Sequence, residues 1–192
     1  VTRFAHAQRE IGLATGEPPA QRGYPPSVFD MLPKLLERTG TNDKGSITAF
    51  YTVLVDGGDM DEPIADKVRG TLDGHIVLSR ELAGKQHYPA IDMLTSISRL
   101  AKRVSDTNTN KAVQRLKKWI ALYSEQEDFI KLGVYQRGNS TEIDEAIEHH
   151  EELEDFLCQD IHEHLTIEDT LQRLSQVSGI EIPEEEYAEL QA

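Results

Sequence analysis

The hydrophobic period of this chain changes once, near Ala101, and that change limits the possible fold more than any other feature. Before it, helical stripes alternate with short runs rich in β-branched residues; after it, every apolar stripe repeats at helical spacing. The pattern predicts an α/β portion over residues 1–101 followed by an all-helical portion over 102–192. Ile47 to Val55 carries β-branched and aromatic residues without clean alternation, which fits a strand covered on both faces, as in a parallel sheet. Ala65 to Leu72 is a short helix and His75 to Leu78 a second strand, giving strand, helix, strand in an α/β layer.

Local signals place the helices. Val1 to Ala14 suits one, and the run from Gly16 to Pro26, holding Gly-Glu-Pro-Pro and Gly-Tyr-Pro-Pro, is a constrained loop. Ser27 is positioned to cap a helix whose Val28, Met31, Leu32, Leu35 and Leu36 share one face, with Gly40 past its end and a kink expected at Pro33. Beyond Ala101, Ala112, Val113, Leu116, Trp119, Ile120 and Tyr123 form one stripe. Ile143, Ala146, Ile147, Leu153, Phe156 and Leu157 form another, broken near Glu151. Thr166 opens a final helix that Gly179 closes.

The 192 residues are 38% apolar, enough for a buried core, and no stretch reaches the ~18 uncharged apolar residues of a membrane helix. With no basic-then-apolar leader, the chain reads as cytoplasmic. Starting at Val1-Thr2-Arg3-Phe4, it reads as a piece of a longer chain. Its single cysteine, Cys158, cannot form an internal disulfide. Residues 138–192 carry 17 of the 34 acids but only one of the 20 Lys and Arg, Arg173, so this stretch sums to −16 while residues 1–137 sum to +2, for −14 in all. Such asymmetry argues against nucleic acid as the partner of this stretch and points to an interaction surface or, equally, to a solvated acidic face.

Three strings go further than pattern: GEPPAQRGYPPSVFDMLPKLLERTG (16–40), GSITAFYTVLVDGGDMDEP (45–63) and GHIVLSRELAGKQHYPAIDMLTSISRL (74–100). They closely resemble flagellar and virulence type III protein-export ATPases, relatives of the F-type ATP synthase catalytic subunit. GVYQRGNSTEIDEAI (133–147) is more like the flagellar branch. The resemblance implies the C-terminal part of a RecA-like parallel-sheet ATPase domain, then a helical C-terminal domain. It also implies a homohexameric parent that uses ATP with Mg to drive protein export from the inner face of the membrane. Its partners would be a coiled-coil stalk protein, a regulatory export subunit, export chaperones and substrates. No Gly-x-x-x-x-Gly-Lys-Thr/Ser occurs in the 192 residues, so the chain alone is expected neither to hydrolyse ATP nor to bind it tightly.

The same resemblance gives roles to single residues. Arg99, ending Ser-Ile-Ser-Arg, matches an arginine finger reaching a neighbour's γ-phosphate, work suited to a planar, permanently charged guanidinium. Without the resemblance it reads as a surface ion-pair former. Arg3 matches a contact to the departing phosphate, or is a helix-surface Arg paired with Glu10 or a neighbour. Tyr88 and Phe156 match aromatics beside the adenine; each reads as a core residue otherwise. Asp59, Asp61 and Glu62 follow Gly57-Gly58 in a loop matching a stalk contact, or form a partnerless acidic turn. Glu142, Asp144 and Glu145 lie where the synthase places its acidic stalk-facing helix-turn-helix.

His149, His150, His162 and His164 sit among acids, but neither pair has the i, i+3 or i, i+4 spacing of a helical ligand set, so no metal site is read. A virulence export ATPase, a non-catalytic rotary subunit, or a stalk- and chaperone-binding module remain the alternatives to a flagellar export ATPase.

Overall fold

A computed structural model describes residues 1–188; residues 189–192, at the end of the expected helical portion, lie outside it. Packing divides the chain into two compact units, Val1–Asp73 and a second beginning at Gly74.

In the first unit, helix α1 (Thr2–Ala14) leads through a loop with a short 3-10 turn at Gln21–Gly23 into α2 (Pro26–Leu36). Pro26 opens α2 because its missing N–H would be unpaired there in any case. The capping role expected of Ser27 goes elsewhere: Ser27 lies inside the first turn, and its N–H donates to Glu17 Oε1 at 2.8 Å. Pro33 does not end the helix, which runs on to Leu36. Val28, Leu32 and Leu36, four residues apart, are buried with Ala5, Tyr24, and the Ile64 and Val68 of α3 (Pro63–Thr71). Removing Leu32, which is fully buried, would cost about 2–5 kcal/mol. A hairpin of β1 (Gly40–Asn42) and β2 (Gly45–Ile47) projects from this unit with every residue exposed.

The expected strand over Ile47 to Val55 is extended chain instead. Only Ile47 belongs to a strand, and residues 48–55 pair in no ladder among the described residues. Their backbone groups meet the start of α1: Val1 N donates to Thr52 O at 3.0 Å, and Thr2 Oγ1 both donates to Leu54 O (3.2 Å) and accepts from Leu54 N (2.8 Å). Without a neighbouring strand, one face stays open, and Phe50 is 90% exposed. No parallel pair occurs among the described strands.

The second unit starts with β3 (Gly74–Leu78), helix α4 (Arg80–Gly84) and β4 (Ile91–Ser98), a strand the pattern did not signal. β3 and β4 are antiparallel, pairing Gly74 with Ser98 and Leu78 with Ile91, with an irregularity between His75 and Val77. There Asp92 Oδ1 accepts from Leu94 N (2.9 Å) and Thr95 N (3.1 Å). Desolvation pushes the Asp92 carboxyl up, but hydrogen bonds from Thr95 and Leu94 win and hold it below the usual carboxylate range.

After Ser98 the described residues form helices alone: α5 (Ala101–Val104), α6 (Thr107–Lys131), α7 (Thr141–Glu148), α8 (His150–Leu157), α9 (Ile167–Ser178) and α10 (Glu184–Ala188). The two expected stripes meet in one core of Ala112, Leu116, Trp119, Ala146, Leu153, Leu171, Leu174 and Ile182. Thr166 and Asp169 form a reciprocal capping box at α9, and Gly179 closes it in the left-handed conformation, as the sequence predicts.

Candidate functional site

The Ser79 hydroxyl accepts from Leu82 N and starts α4, while Ser79 N donates to Ala90 O at 2.8 Å, closing the segment that carries Tyr88. The Tyr88–Pro89 peptide is cis. Tyr88 is 50% exposed, so its ring offers a face to solvent rather than filling a core. Its carbonyl accepts from Gln159 N at 2.8 Å, tying this segment to the chain just beyond α8.

From there β4 runs to Ser98, whose hydroxyl accepts from Ala101 N and turns the chain into α5. Arg99 sits on that turn, exposed. Tyr88 and Arg99 therefore lie beyond opposite ends of an eight-residue strand. Because β4 bulges at Asp92–Thr95, its ends Ile91 and Ser98 pair with Leu78 and Gly74, only four residues apart on β3, a span of about 13 Å.

Gly74, opposite Ser98, keeps the Arg99 end of this ladder tight: a Cβ there would stand 2.7 Å from Ile97 O and 3.2 Å from Ser98 Cα. In the first unit, Arg3 is exposed on the first turn of α1, without an ion-pair partner among the described residues.

Phe156 is partly buried against the helical core, and the Arg173 guanidinium stands 5.9 Å from its ring centroid. Arg173 also reaches Glu163 (3.1 Å) and Asp155 O (3.2 Å), so the only cation of the acidic stretch organises its middle. Tyr88 and Phe156 thus differ, one open to a planar ligand and the other engaged within the bundle.

The two acidic groups are less available than their sequence implies. Asp59 is ion-paired to Arg22 at 2.8 Å and accepts from Asp61 N at 3.0 Å. The Arg22 hydrogen bond first, then that backbone N–H, hold the Asp59 carboxyl below its ordinary range. Asp61 lies 3.6 Å from Arg69, and Glu62 precedes α3. Glu142 pairs with Lys118 at 2.5 Å, and Asp144 accepts from the Tyr135 hydroxyl (2.9 Å) and Gly138 N (2.8 Å). Glu145 remains exposed on α7.

Of the four histidines set among acids, two are ring-stacked: His149 on Trp119 at 4.4 Å between centroids and His150 on Tyr123 at 3.5 Å. A different histidine makes a cluster no spacing announced. His87 Nδ1 lies 2.8 Å from Glu154 Oε2 and 3.5 Å from Cys158 Sγ, across 67 and 71 residues of chain.

Residues 1–98 match the ATP synthase alpha/beta family, nucleotide-binding domain, and residues 105–176 match the T3SS EscN ATPase C-terminal domain. The flagellum-specific ATP synthase of Treponema pallidum is 57% identical over 182 residues, 95% of this chain. The chain spans 41% of that relative's length. The assembled ATPase EscN of enteropathogenic E. coli superposes with a TM-score of 0.90 at 46% identity, over 93% of this chain and 43% of EscN. EscN in complex with its central stalk EscO superposes at 0.84 with 46% identity, over 93% of this chain and 42% of that one. With its family match covering residues 1–98, this chain belongs to the ATP synthase alpha/beta family.

Proposed function

We propose that the chain serves a homohexameric ATPase that couples ATP hydrolysis to flagellar type III protein export, with residues 1–101 in its nucleotide-binding domain and 102–192 as a helical C-terminal domain. The observation that carries this reading is the 57% identity, over 95% of this chain, to a flagellum-specific ATP synthase, with Tyr88 and Arg99 both exposed beyond the ends of β4. Tyr88 stacks on the base held by its own subunit, and Arg99 reaches the phosphates held by the next. Only a ring of subunits uses both. Arg3 contacts the departing phosphate, and Phe156 borders the adenine through the bundle. The assembled state of EscN and the 57% identity to a flagellum-specific protein favour the hexamer and the flagellar branch.

Magnesium and the β- and γ-phosphates find no cradle among these residues, since the Gly-x-x-x-x-Gly-Lys-Thr/Ser string does not occur in the sequence. What the chain offers to ATP is an aromatic face and an arginine. The chain by itself then binds ATP no tighter than about millimolar and does not turn it over.

EscN has been solved with a central stalk, and a basic coiled-coil partner fits both the Asp59, Asp61 and Glu62 loop and the −16 of residues 138–192, which includes Glu142, Asp144 and Glu145. A regulatory export subunit, export chaperones and substrates complete the partner set, at the cytoplasmic face of the export apparatus. Among the described residues no helix is long and apolar enough to cross a membrane.

The test is magnesium-dependent ATP hydrolysis by the full-length protein beside calorimetry of the 192-residue chain with ATP. Hydrolysis by the former with no micromolar binding by the latter supports the reading. An inactive full-length protein, or micromolar ATP binding by the chain alone, overturns it.

A further inference from the structure

We propose that His87, Glu154 and Cys158 form a binding site for a zinc-class divalent cation, separate from the nucleotide's magnesium. The three candidate ligand atoms, one each from imidazole, carboxylate and thiol, lie within 4.8 Å of one another. His87 is 7% exposed, and its side chain faces Glu154 and Cys158 rather than solvent.

The spacing suits a small tetrahedral ion. With Zn–S ~2.3 Å and Zn–N ~2.0–2.1 Å, a tetrahedral N···S edge is about 3.5 Å. His87 Nδ1 and Cys158 Sγ stand 3.5 Å apart. The His87–Glu154 edge, now a 2.8 Å hydrogen bond, needs to open by only about 0.6 Å to admit the ion.

Ligand type decides which ion. Thiolate and imidazole favour zinc and its neighbours over magnesium or calcium, which prefer all-oxygen shells. The fourth position faces a cavity of about 290 Å³, bordered also by Trp119, Tyr123 and His150, which has room for a water or an exchangeable ligand. The one cation lining that cavity, Lys85, is held by Glu81 at 2.9 Å and Glu127 at 3.6 Å, so its charge is largely offset.

The ion's effect follows from where its ligands sit. His87 belongs to the segment that carries Tyr88; Glu154 lies within α8 and Cys158 just past its end. A bound ion clamps the two together beside the hydrogen bond from Gln159 N to Tyr88 O. Binding itself does not depend on the proposed ATPase role.

The experiment titrates metal-free, reduced full-length protein with Zn²⁺ by calorimetry and with Co²⁺ by absorption. One Zn²⁺ per chain at about micromolar Kd or tighter is expected, with a near-ultraviolet thiolate-to-cobalt band. Cys158→Ser should abolish that band and weaken Zn²⁺ at least ~10-fold, and Glu154→Gln should weaken it to a similar degree. A variant with both His162→Ala and His164→Ala should bind as the unaltered protein does. In the unaltered protein, saturating Zn²⁺ should slow alkylation of Cys158 at least ~10-fold, a readout that needs no variant to fold. Absence of the cobalt band, Zn²⁺ affinity unchanged in Cys158→Ser, or unprotected Cys158 at saturating Zn²⁺ overturns the assignment.

Discussion

Arg22 and Asp59 join two loops of the first unit through a 2.8 Å ion pair, and Arg22 holds this position at a positive φ of 46°. The acidic loop is therefore partly neutralised before any partner arrives. Asp59 titrates below its ordinary value of 3.8 because its charged form accepts from Arg22 and from Asp61 N. A lowered carboxylate pKa contributes stability above the unfolded value, which is lost as pH falls through the folded one. A carboxyl NMR titration should place Asp59 below 3.8, and Arg22→Ala should move it up, incompletely, since the Asp61 N–H remains. An unchanged midpoint in Arg22→Ala would show that the pair does not persist in solution.

Gly74→Ala tests the close packing at the Arg99 end of β4. An added Cβ at 2.7 Å from the Ile97 carbonyl meets backbone, which cannot swing aside. Alanine gains about 0.4–1 kcal/mol by stiffening the unfolded chain, and the crowding costs about 1–3 kcal/mol. Net destabilisation of about 1–2 kcal/mol is expected in urea melts, with ATP turnover falling further than stability alone explains. A variant as stable as the original would mean the ladder relaxes freely there.

Helix α6 is capped from a distance. Asp106 precedes it without a side-chain cap, and the buried Glu186 carboxylate supplies the acceptor instead, taking Asn108 N at 3.3 Å, Thr109 N at 3.0 Å and Thr109 Oγ1 at 2.8 Å. Glu186→Ala leaves these donors unmet and should cost about 1–3 kcal/mol. Glu186→Gln, retaining an acceptor but not the charge that favours a helix N-terminus, should lose less. Equal melting of all three proteins would remove Glu186 from the cap.

These contacts mark where sequence reading succeeds and fails. The α9 ends were legible because Thr166 and Gly179 act on their own helix, and the bundle stripes because 3.6-residue spacing is local. Ile47 to Val55 misled because β-branched composition records a preference for extended chain and says nothing of a partner strand; its backbone found Val1 and Thr2 instead. β4 was hidden because Asp92, Thr95, Ser96 and Ser98 interrupt its apolar run. His87, Glu154 and Cys158 carry no shared spacing, so only the fold unites them.

The most discriminating prediction concerns Arg99. Exposed on the turn after β4, Arg99 is proposed to act on another subunit's phosphates. In the full-length protein, Arg99→Ala should lower turnover by on the order of 10³ with nucleotide affinity nearly unchanged, because its contact develops mainly in the transition state. Arg99→Lys should not restore it, since a point charge lacks the two-pronged grip of a guanidinium. Mixing Arg99→Ala subunits with subunits whose phosphate-loop lysine has been replaced re-creates sites that pair an intact loop with an intact neighbouring Arg99. Activity should then partly return. If mixed hexamers form and remain as inactive as either variant alone, Arg99 works within its own subunit or only supports the end of β4, and the assignment in trans fails.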